Sequence, residues 1–509
     1  MSMELRDEAG LRRARTLFLG AWLLLCALKL ALAVRLPLFV DEAFYWLEGQ
    51  HLALAYSDLP GLTAWLARLG VSVGGNHALA LRLPFLMIGA LLPWLMVRMT
   101  AREFDARTGW QAGLLLMLLP LAGTLGVLAL PDVPLLLASL LCLDAGARAL
   151  REVDASVAAE LALGLVIGGL THYRFAAVVA VGLMALLALH EGRAALRRPL
   201  LWLAIALGAL AWLPLLLWNL DNADAGLRFQ LVDRHPWSFG WHGISLGLMQ
   251  LLPATPVLLV AFVQAGKRGL RDASPQARWL ALCGVLLILA FLALGFFADR
   301  RRVSFHWTLP GFVALTPLLP AVLAGWARGW RATAWATVSM GLAAALGYLV
   351  LAASPAGRIW AARHGQYPAN FAGWDALDAA VRARLEAMPP GTRILAGDFK
   401  IAAELGFARD DADILVLDHP LNRKHGRAPQ LALWGLRFDG RMPDSGASLL
   451  LVASPSHAGF PDAQSAIDDL CRQLGPLPAP QVLDVDGGGK RFVLYEITRV
   501  QPQPRCAGD

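Results

Sequence analysis

The chain has 509 residues, of which 57% are hydrophobic and 16% charged, and its formal net charge is +7. Soluble domains carry about 25% charged residues, so the composition excludes an ordinary soluble protein and indicates a polytopic membrane protein. The excess of positive charge does not indicate a nucleic-acid partner, because most arginines occupy short loops between apolar segments, where membrane topology requires them.

Apolar segments of membrane-crossing length recur through the first 353 residues. At about 20 residues per crossing, they predict a polytopic α-helical protein of about eleven spans, with an upper bound of about thirteen. The predicted spans cover residues 16–36, 78–99, 110–129, 132–150, 157–172, 173–190, 199–218, 244–264, 278–297, 310–327 and 333–353.

The loops between these spans alternate in arginine and lysine content. Because basic loops stay in the cytoplasm, the pattern predicts a multi-pass protein of a bacterial inner membrane with a cytoplasmic N-terminus and a periplasmic tail. The first outer loop contains two amphipathic segments, 42–50 and 61–69. With Tyr45, Trp46 and Trp65 on their apolar faces, they predict periplasmic helices lying in the membrane surface at 41–72.

Helical and extended patterns alternate after residue 354 and predict a soluble, periplasmic α/β domain at 354–509 behind the membrane domain at 1–353. Its predicted elements are helices at 372–388, 401–406 and 462–474, strands at 393–396, 414–417 and 449–453, and a hairpin of strands 481–485 and 491–497. Cys471 and Cys506 could pair there in an oxidising compartment, but their spacing does not decide it.

Asp41 and Glu42 follow directly after the first apolar stretch. A carboxylate at the centre of a membrane helix costs about 3 kcal/mol, so this pair is expected outside the hydrocarbon, facing water or a cavity. One acid is a candidate general base for an acceptor hydroxyl or amine, and the other a candidate metal ligand or partner. The alternative is a solvated helix N-terminus, where acids favour the helix dipole.

Asp58 and Asp132 are two further carboxylates predicted on the outer side. Asp58 precedes the second surface segment and Asp132 begins the fourth predicted span. Helix capping is the alternative for both. Carboxylates from separate spans could nevertheless converge in one cavity, and a divalent ion held by Glu42 or Asp132 is compatible with that arrangement.

Arg300, Arg301 and Arg302 lie on the predicted outer side, against the orientation rule. Guanidinium groups pair bidentately with phosphate oxygens, so the cluster predicts a phosphate site. Attraction to lipid head groups is the alternative. His306 and Trp307 follow the cluster closely and could assist it.

Polar side chains also stand among aromatic ones in the outer loop 219–243, a combination that suits sugars. They are Arg228, Gln230 and Arg234. An interfacial aromatic belt is the alternative. His172 and Tyr173, in the outer turn between the fifth and sixth predicted spans, could line the same cavity.

Several segments together resemble a known family: VDEAFYWLEGQHLALAYSDLPGLTAWL (40–66), LPDVPLLL (130–137), GLTHYRFAAV (169–178), RFQLVDRH (228–235) and FHWTLPGF (305–312). They are similar to the integral-membrane glycosyltransferases of the GT-C superfamily. The similarity is to the bacterial branch related to protein O-mannosyltransferases, the lipid A aminoarabinose transferase and the Rgt-type lipid A transferases. The sequence departs from the family pattern at Leu59, where His is expected, and at His172, where Lys is usual.

The resemblance implies an inverting transfer of a sugar from a polyprenyl-phosphate donor to an envelope lipid, glycan or protein at the outer membrane face, with Asp41 as the base. Glu42, Asp58 and Asp132 match further outer acids of the family. For the donor phosphate we expect Arg300, Arg301, Arg302, Arg228, Arg234 and His172. For the sugar or acceptor cavity we expect Tyr45, Tyr56, Tyr173, Gln230, His306 and Trp307. A transporter or flippase of lipid-linked sugars is the rival interpretation.

Overall fold

The structure is a computed structural model that describes residues 2–223, 225–234, 237–298, 304–442, 448–455, 460 and 462–501, the side chains of residues 2–7 excepted. Arg300, Arg301, Arg302 and Cys506 therefore lie outside the described residues. The chain forms two compact units. The first unit comprises Met1–Ala33, Leu59–Thr63 and Arg82–Gly347, and the second comprises Val34–Asp58, Ala64–Leu81 and Tyr348–Asp509. Asp41 and Asp58 thus belong to the unit that contains the tail.

Helices account for most of the described chain. The first thirteen are α1 (Ser2–Arg35), α2 (Val40–Gln50), α3 (Leu62–Gly74), α4 (Ala78–Glu103), α5 (Ala106–Leu118), α6 (Pro120–Thr124), α7 (Asp132–Ala149), α8 (Ala155–Thr171), α9 (Phe175–Ala188), α10 (His190–Ala195), α11 (Pro199–Leu210), α12 (Leu213–Asp221) and α13 (Ala225–Arg228). The others are α14 (Gly243–Met249), α15 (Leu251–Ala254), α16 (Pro256–Gly269), α17 (Pro275–Leu294), α18 (Leu309–Leu315), α19 (Leu319–Ala324), α20 (Arg328–Ala353), α21 (Pro355–Arg363), α22 (Trp374–Glu386), α23 (Phe399–Arg409), α24 (Pro420–Lys424), α25 (Ala428–Leu433) and α26 (Ala463–Leu474). A π-helix at Phe229–Asp233 and 3₁₀ turns at Phe305–Thr308 and Thr316–Leu318 complete them.

Six helical segments among the described residues are long and apolar enough to cross a membrane: Glu8–Arg35, Ala78–Glu103, Pro199–Asp221, Pro275–Leu294, Phe305–Ala324 and Arg328–Ala353. A seventh results if Gly243–Ala254 and Pro256–Gly269, which meet at 101°, form one broken span. A multi-pass membrane protein is therefore confirmed, whereas the count of eleven spans stays a prediction.

Proline explains breaks in two of the apolar helical segments. It has no backbone N–H and therefore cannot donate the hydrogen bond that a continuous helix needs. The predicted span 110–129 divides into α5 and α6 where Pro120 begins the second piece. The bend between α15 and α16 falls at Thr255, which has a positive φ of 58° and precedes Pro256.

The second unit contains a five-stranded mixed sheet. Its strands are β1 (Arg393–Ala396), β2 (Leu415–Val416), β3 (Leu449–Ala453), β4 (Gln481–Val485) and β5 (Lys490–Ile497), in the order β2-β1-β3-β5-β4. Strand β1 runs parallel to β2 and β3, while β5 pairs antiparallel with β3 and β4. These strands coincide with the predicted ones to within one residue at each end. That this part of the chain is soluble and periplasmic stays a prediction.

Helix α2 differs from its prediction as a membrane-surface helix, because α23 of the same unit covers its apolar face. Trp46 is buried edge-on against Phe407 with ring centroids 5.6 Å apart, and Phe44 meets Phe399 at the same distance. The prediction that Tyr45 and Trp46 face the membrane surface is therefore wrong. Helix α3, in contrast, keeps apolar side chains exposed.

Candidate active site

Asp41 and Asp58 are joined by one buried cation in the second unit. The Arg427 Nη2 atom donates a hydrogen bond to Asp41 Oδ1 at 2.7 Å, and its Nε donates to Asp58 Oδ2 at 3.2 Å. Only 3% of the Arg427 side chain is exposed, whereas Asp41 keeps 27% exposed. Of these three groups, Asp41 is thus the one that an incoming molecule can reach most readily.

The Arg427 guanidinium is fixed by two aromatic rings and by its own backbone. It lies 4.1 Å from the centroid of Phe44 and 4.3 Å from that of Phe399, which are cation–π contacts. The Arg427 N–H donates to the carbonyl of Asn422 at 2.8 Å. Gly426 precedes it with a φ of +76°, a left-handed conformation that glycine adopts without strain just past a short helix.

Ser57 ties the segment that bears Asp58 to the segment that bears Arg427. Its Oγ donates to the carbonyl of Gly426 at 2.5 Å, and its N–H donates to Gln430 Oε1 at 3.0 Å. Because Ser57 and Asp58 are neighbours, these bonds fix the distance between the Asp58 carboxylate and the guanidinium.

Glu48 adds a third acid to this group. Its side chain is buried beside Asp58, and burial, followed by the charge of Asp58, raises the pKa of Glu48 well above its usual value. A protonated Glu48 can donate a hydrogen bond to Asp58 and adds no negative charge beside Arg427. The Tyr56 hydroxyl donates to the Glu48 carbonyl at 2.8 Å and holds this turn.

The ionisation of Asp41 is set by opposing effects. Burial acts to raise its pKa, but the Arg427 charge, with smaller contributions from His425 and Lys400, holds the pKa of Asp41 below its usual value. Burial, together with the Arg427 charge, lowers the pKa of His425 to about 3, so this imidazole is neutral near pH 7. Asp41 is therefore a partly exposed carboxylate that can accept a proton.

Glu42 has a different environment from Asp41 although it is the next residue. Its Oε2 accepts a hydrogen bond from the Phe39 N–H at 2.9 Å, closing the N-terminus of α2, and the side chain is fully buried. Glu42 thus lies at a helix N-terminus, but a buried one and not the solvated one that the sequence left as the alternative. A supporting or metal-binding role for Glu42 stays a prediction.

Tyr45 and Tyr56 are predicted cavity residues that the structure places in the interior of the second unit. The Tyr45 ring centroid lies 6.0 Å from the Arg427 guanidinium carbon, and both side chains are buried. They surround the charged group instead of lining an open cavity, because α23 and the tail cover α2.

A second charged group lies in the first unit around Asp132, at the start of α7. The Arg174 Nη2 atom is 3.3 Å from Asp132 Oδ1, and His306 Nε2 is 3.6 Å from the same oxygen. The Arg174 Nε–H donates to His172 Nε2 at 3.1 Å. Three of the predicted site residues thus converge, from three parts of the sequence.

Trp307 joins Arg174 to a second arginine of this group. The guanidinium carbons of Arg174 and Arg234 each lie 5.2 Å from the Trp307 ring centroid. Arg234 Nη1 also donates to Gln230 Oε1 at 2.9 Å. Two guanidiniums and one carboxylate leave an excess of positive charge, which suits an anion such as phosphate.

Arg228 and Tyr173, two other predicted site residues of the first unit, contact residues outside this group. Arg228 is 68% exposed, with its Nε 3.6 Å from Asp233. The Tyr173 hydroxyl accepts a hydrogen bond from Asn219 Nδ2 at 3.4 Å. The prediction that Arg228 assists the donor phosphate therefore finds no support in the contacts described here.

Arg174 and Arg427 are absent from the predicted site residues. Arg174 stands within the quoted segment GLTHYRFAAV, and its place beside a candidate His and Tyr in a short outer turn is the signal that could have identified it. Arg427 is separated from Asp41 by 386 residues, and no local pattern links them.

The surroundings of the acidic side chains decide whether a metal ion could bind to them. Within the described ranges, no group of three or more His, Cys, Asp or Glu side chains is placed to hold a metal ion. Arg427 already pairs with Asp41 and Asp58, and Arg174 lies against Asp132. A divalent ion does not fit these carboxylates unless the guanidinium groups move away.

Two sequence comparisons bear on the family. The family model described as dolichyl-phosphate-mannose-protein mannosyltransferase matches residues 58–218. The lipid A galacturonosyltransferase RgtD of Rhizobium johnstonii is 29% identical over 306 residues, which are 58% of this chain. The match spans 62% of that relative, less than two thirds of its length.

Solved structures show the fold. ArnT from Cupriavidus metallidurans bound to undecaprenyl phosphate matches with a TM-score of 0.62 at 15% identity, over 96% of this chain and 99% of that one. The apo form of the same protein gives 0.64 at 12% identity, with the same coverage. The chain is similar in sequence to these glycosyltransferases and has the fold of ArnT. These similarities confirm the resemblance that the sequence motifs carry, and they confirm a membrane fold of the GT-C type.

Proposed function

We propose that this GT-C protein is an inverting glycosyltransferase that moves a sugar from a polyprenyl-phosphate donor to a cell-envelope acceptor at the outer face of the bacterial inner membrane. Among lipid, glycan and protein acceptors, lipid A is favoured by the name of the RgtD relative. Undecaprenyl phosphate, bound in the ArnT structure, is the favoured carrier. The observation that best supports this proposal is the ion pair between the partly exposed Asp41 carboxylate and the buried Arg427.

In this function Asp41 is the general base. The acceptor oxygen attacks the anomeric carbon, the bond from that carbon to the phosphate oxygen breaks, and the electron pair leaves with the polyprenyl phosphate. The acceptor proton passes to Asp41. Because Arg427 holds the pKa of Asp41 below its usual value, the carboxylate is ionised but weakly basic. Proton transfer is then expected late, when bonding to carbon has made the hydroxyl acidic.

Arg427 acts as a positioning residue for this base. Its contacts to Asp41 and Asp58 select one orientation of the Asp41 carboxylate, and its charge keeps that carboxylate ionised despite burial. Glu48, as a proton donor to Asp58, limits the negative charge around the single guanidinium. None of the three needs to touch the substrate.

The group around Asp132 is assigned to the donor phosphate. The leaving phosphate gains negative charge as the glycosidic bond breaks, so fixed cations stabilise the transition state. Arg174 and Arg234 supply this charge, and Trp307 holds both guanidiniums in place. Asp132 orients Arg174. The assignment extends to Arg300, Arg301 and Arg302, which precede His306 closely in the sequence.

The test is transfer by the purified full chain in lipid nanodiscs. Labelled undecaprenyl phosphate carrying a uronic acid is the donor, and lipid A is the first acceptor, followed by glycan and protein fractions of the envelope. Transfer of label to an acceptor, with release of undecaprenyl phosphate, supports an enzyme. Movement of the donor across vesicle membranes without transfer to any fraction would instead support the lipid-linked sugar transporter.

A further inference from the structure

The second unit carries an apolar groove away from the charged group around Arg427. It encloses about 580 Å³ between the segment 51–54, which follows α2, and helix α3. Leu52, Leu54, Trp65 and Leu69 form its apolar lining, and Arg68 provides its charge. The Trp65 Nε1–H donates to the carbonyl of Ala53 at 2.9 Å and joins the two walls, so the groove is already formed.

The groove exposes more hydrocarbon than isolated surface residues do. Leu52 is 62% exposed, and Leu54 and Leu69 are each 54% exposed. Val73 continues the exposed face along α3, one helical turn beyond Leu69. A contiguous apolar surface of this kind marks an interaction site for a membrane or another apolar partner.

Arg68 is the single ionisable side chain in the lining. One of its terminal nitrogens hydrogen-bonds the Gln50 amide oxygen, which fixes the guanidinium at the edge of the groove. Within the described part of the chain, no carboxylate lies within 4 Å of Arg68, so no acid neutralises its charge. The long aliphatic stem of an arginine can line apolar surface while its head group meets an anion.

We propose that this groove binds one anionic phospholipid of the bilayer. An acyl chain lies along Leu52, Leu54 and Leu69, and the headgroup phosphate pairs with Arg68. Charge complementarity selects this occupant, because an apolar trough ending at a single cation matches a hydrocarbon chain ending at a phosphate. The lining contains no acid or imidazole, so the groove binds lipid without taking part in sugar transfer.

The experiment uses the purified full chain in nanodiscs that contain phosphatidylglycerol with a photoactivatable group on one acyl chain. After illumination, peptide mass spectrometry locates the label. Label is expected on residues 51–54 and 65–72. Arg68→Gln is expected to lower labelling of these peptides about fivefold, the effect of one basic group at an anionic lipid surface. Arg68→Lys keeps the charge and should retain most of the labelling.

Two controls separate this effect from misfolding. Arg441→Gln removes an exposed arginine of the same unit, and Leu433→Ser removes an exposed leucine outside the groove. Both should label as wild type, and all variants should elute and melt alike. Equal labelling of Arg68→Gln and wild type would overturn the lipid site. So would equal labelling by photoactivatable phosphatidylcholine, or preferential labelling by a polyprenyl-phosphate probe. Because no sugar is transferred, the outcome is independent of the proposed enzyme activity.

Discussion

The Arg427 Nη2 atom lies 2.7 Å from Asp41 Oδ1, so a residue of the tail sets the charge and orientation of an acid in the first loop of the chain. The same guanidinium reaches Asp58 at 3.2 Å and packs against the rings of both Phe44 and Phe399. This ion-pair group is difficult to break, because Arg427 or Asp58 would be left buried without its counter-charge.

Arg427→Gln should therefore destabilise the protein strongly. Breaking a buried ion pair by removing one partner costs about 3–5 kcal/mol, and here two carboxylates lose their cation. We expect a clear fall in Tm by scanning calorimetry and loss of sugar transfer. Arg437→Gln is the matched control, since Arg437 is exposed and its Nη2 lies 3.7 Å from Asp418. That exposed pair should contribute about 1 kcal/mol or less. Equal Tm losses for both variants would contradict the bridging role of Arg427.

Glu48→Gln should change how stability depends on pH. Because the folded-state pKa of Glu48 is raised, its contribution to stability is complete below the unfolded pKa of about 4.3 and is lost as pH rises toward the folded pKa. Glutamine can donate to Asp58 at every pH and shows no such loss. The Tm advantage of the wild type over Glu48→Gln should therefore shrink, or reverse, as the pH rises above about 5. Parallel Tm curves, as expected for the exposed control Glu386→Gln, would contradict a proton shared with Asp58.

Lys490 should make the stability of the protein depend on pH. It is buried on β5, where its Nζ donates to the carbonyl of Ala369 at 3.0 Å and lies 3.3 Å from the Trp374 ring centroid. Burial lowers its pKa to about 7. The unfolded chain then binds more protons between about pH 7 and about pH 10, so stability should rise over that window. Lys490→Met should remove this rise in a series of Tm measurements, and an unchanged rise would assign it to other groups.

Arg174→Gln should weaken donor binding. A charge-assisted hydrogen bond to phosphate contributes about 1.5–3 kcal/mol, which corresponds to roughly 10–100-fold in affinity for undecaprenyl phosphate. Arg228→Gln is the control from the same unit, because Arg228 is exposed and pairs with Asp233. It should change the affinity by about twofold or less. Isothermal titration in detergent distinguishes them, and equal losses for both variants would contradict the assignment of the phosphate to the Asp132 group.

Some features of the fold and of the candidate site can be predicted from the sequence alone. Asp41 and Asp58 could be selected as candidate site residues because a carboxylate next to an apolar span is costly unless it has a role. The five strands could be located because extended apolar segments alternate with turn residues. For His172, Arg234 and His306, the sequence predicts only that they lie on the outer side, on separate segments. It does not predict that they converge near Asp132.

Other features depend on long-range packing. An amphipathic helix has the same pattern whether its apolar face meets lipid or protein, so the sequence of α2 predicts a membrane-surface helix although α23 covers it. The partner of Asp41 could not be identified for a similar reason, since an arginine 386 residues away carries no local sign of the pairing. The breaks in the membrane helices depend on how individual prolines are accommodated.

The measurement that tests the proposed role of Asp41 most directly is single-turnover sugar transfer by Asp41→Asn, with binding of undecaprenyl phosphate measured on the same preparation. Asparagine keeps the size of the side chain and can still accept a hydrogen bond from Arg427, but it cannot take the acceptor proton. We expect the transfer rate to fall by about 10²–10⁴-fold, the usual contribution of a general base, with donor binding unchanged. Transfer at the wild-type rate by a folded, donor-binding Asp41→Asn protein would contradict the assignment of Asp41 as the base.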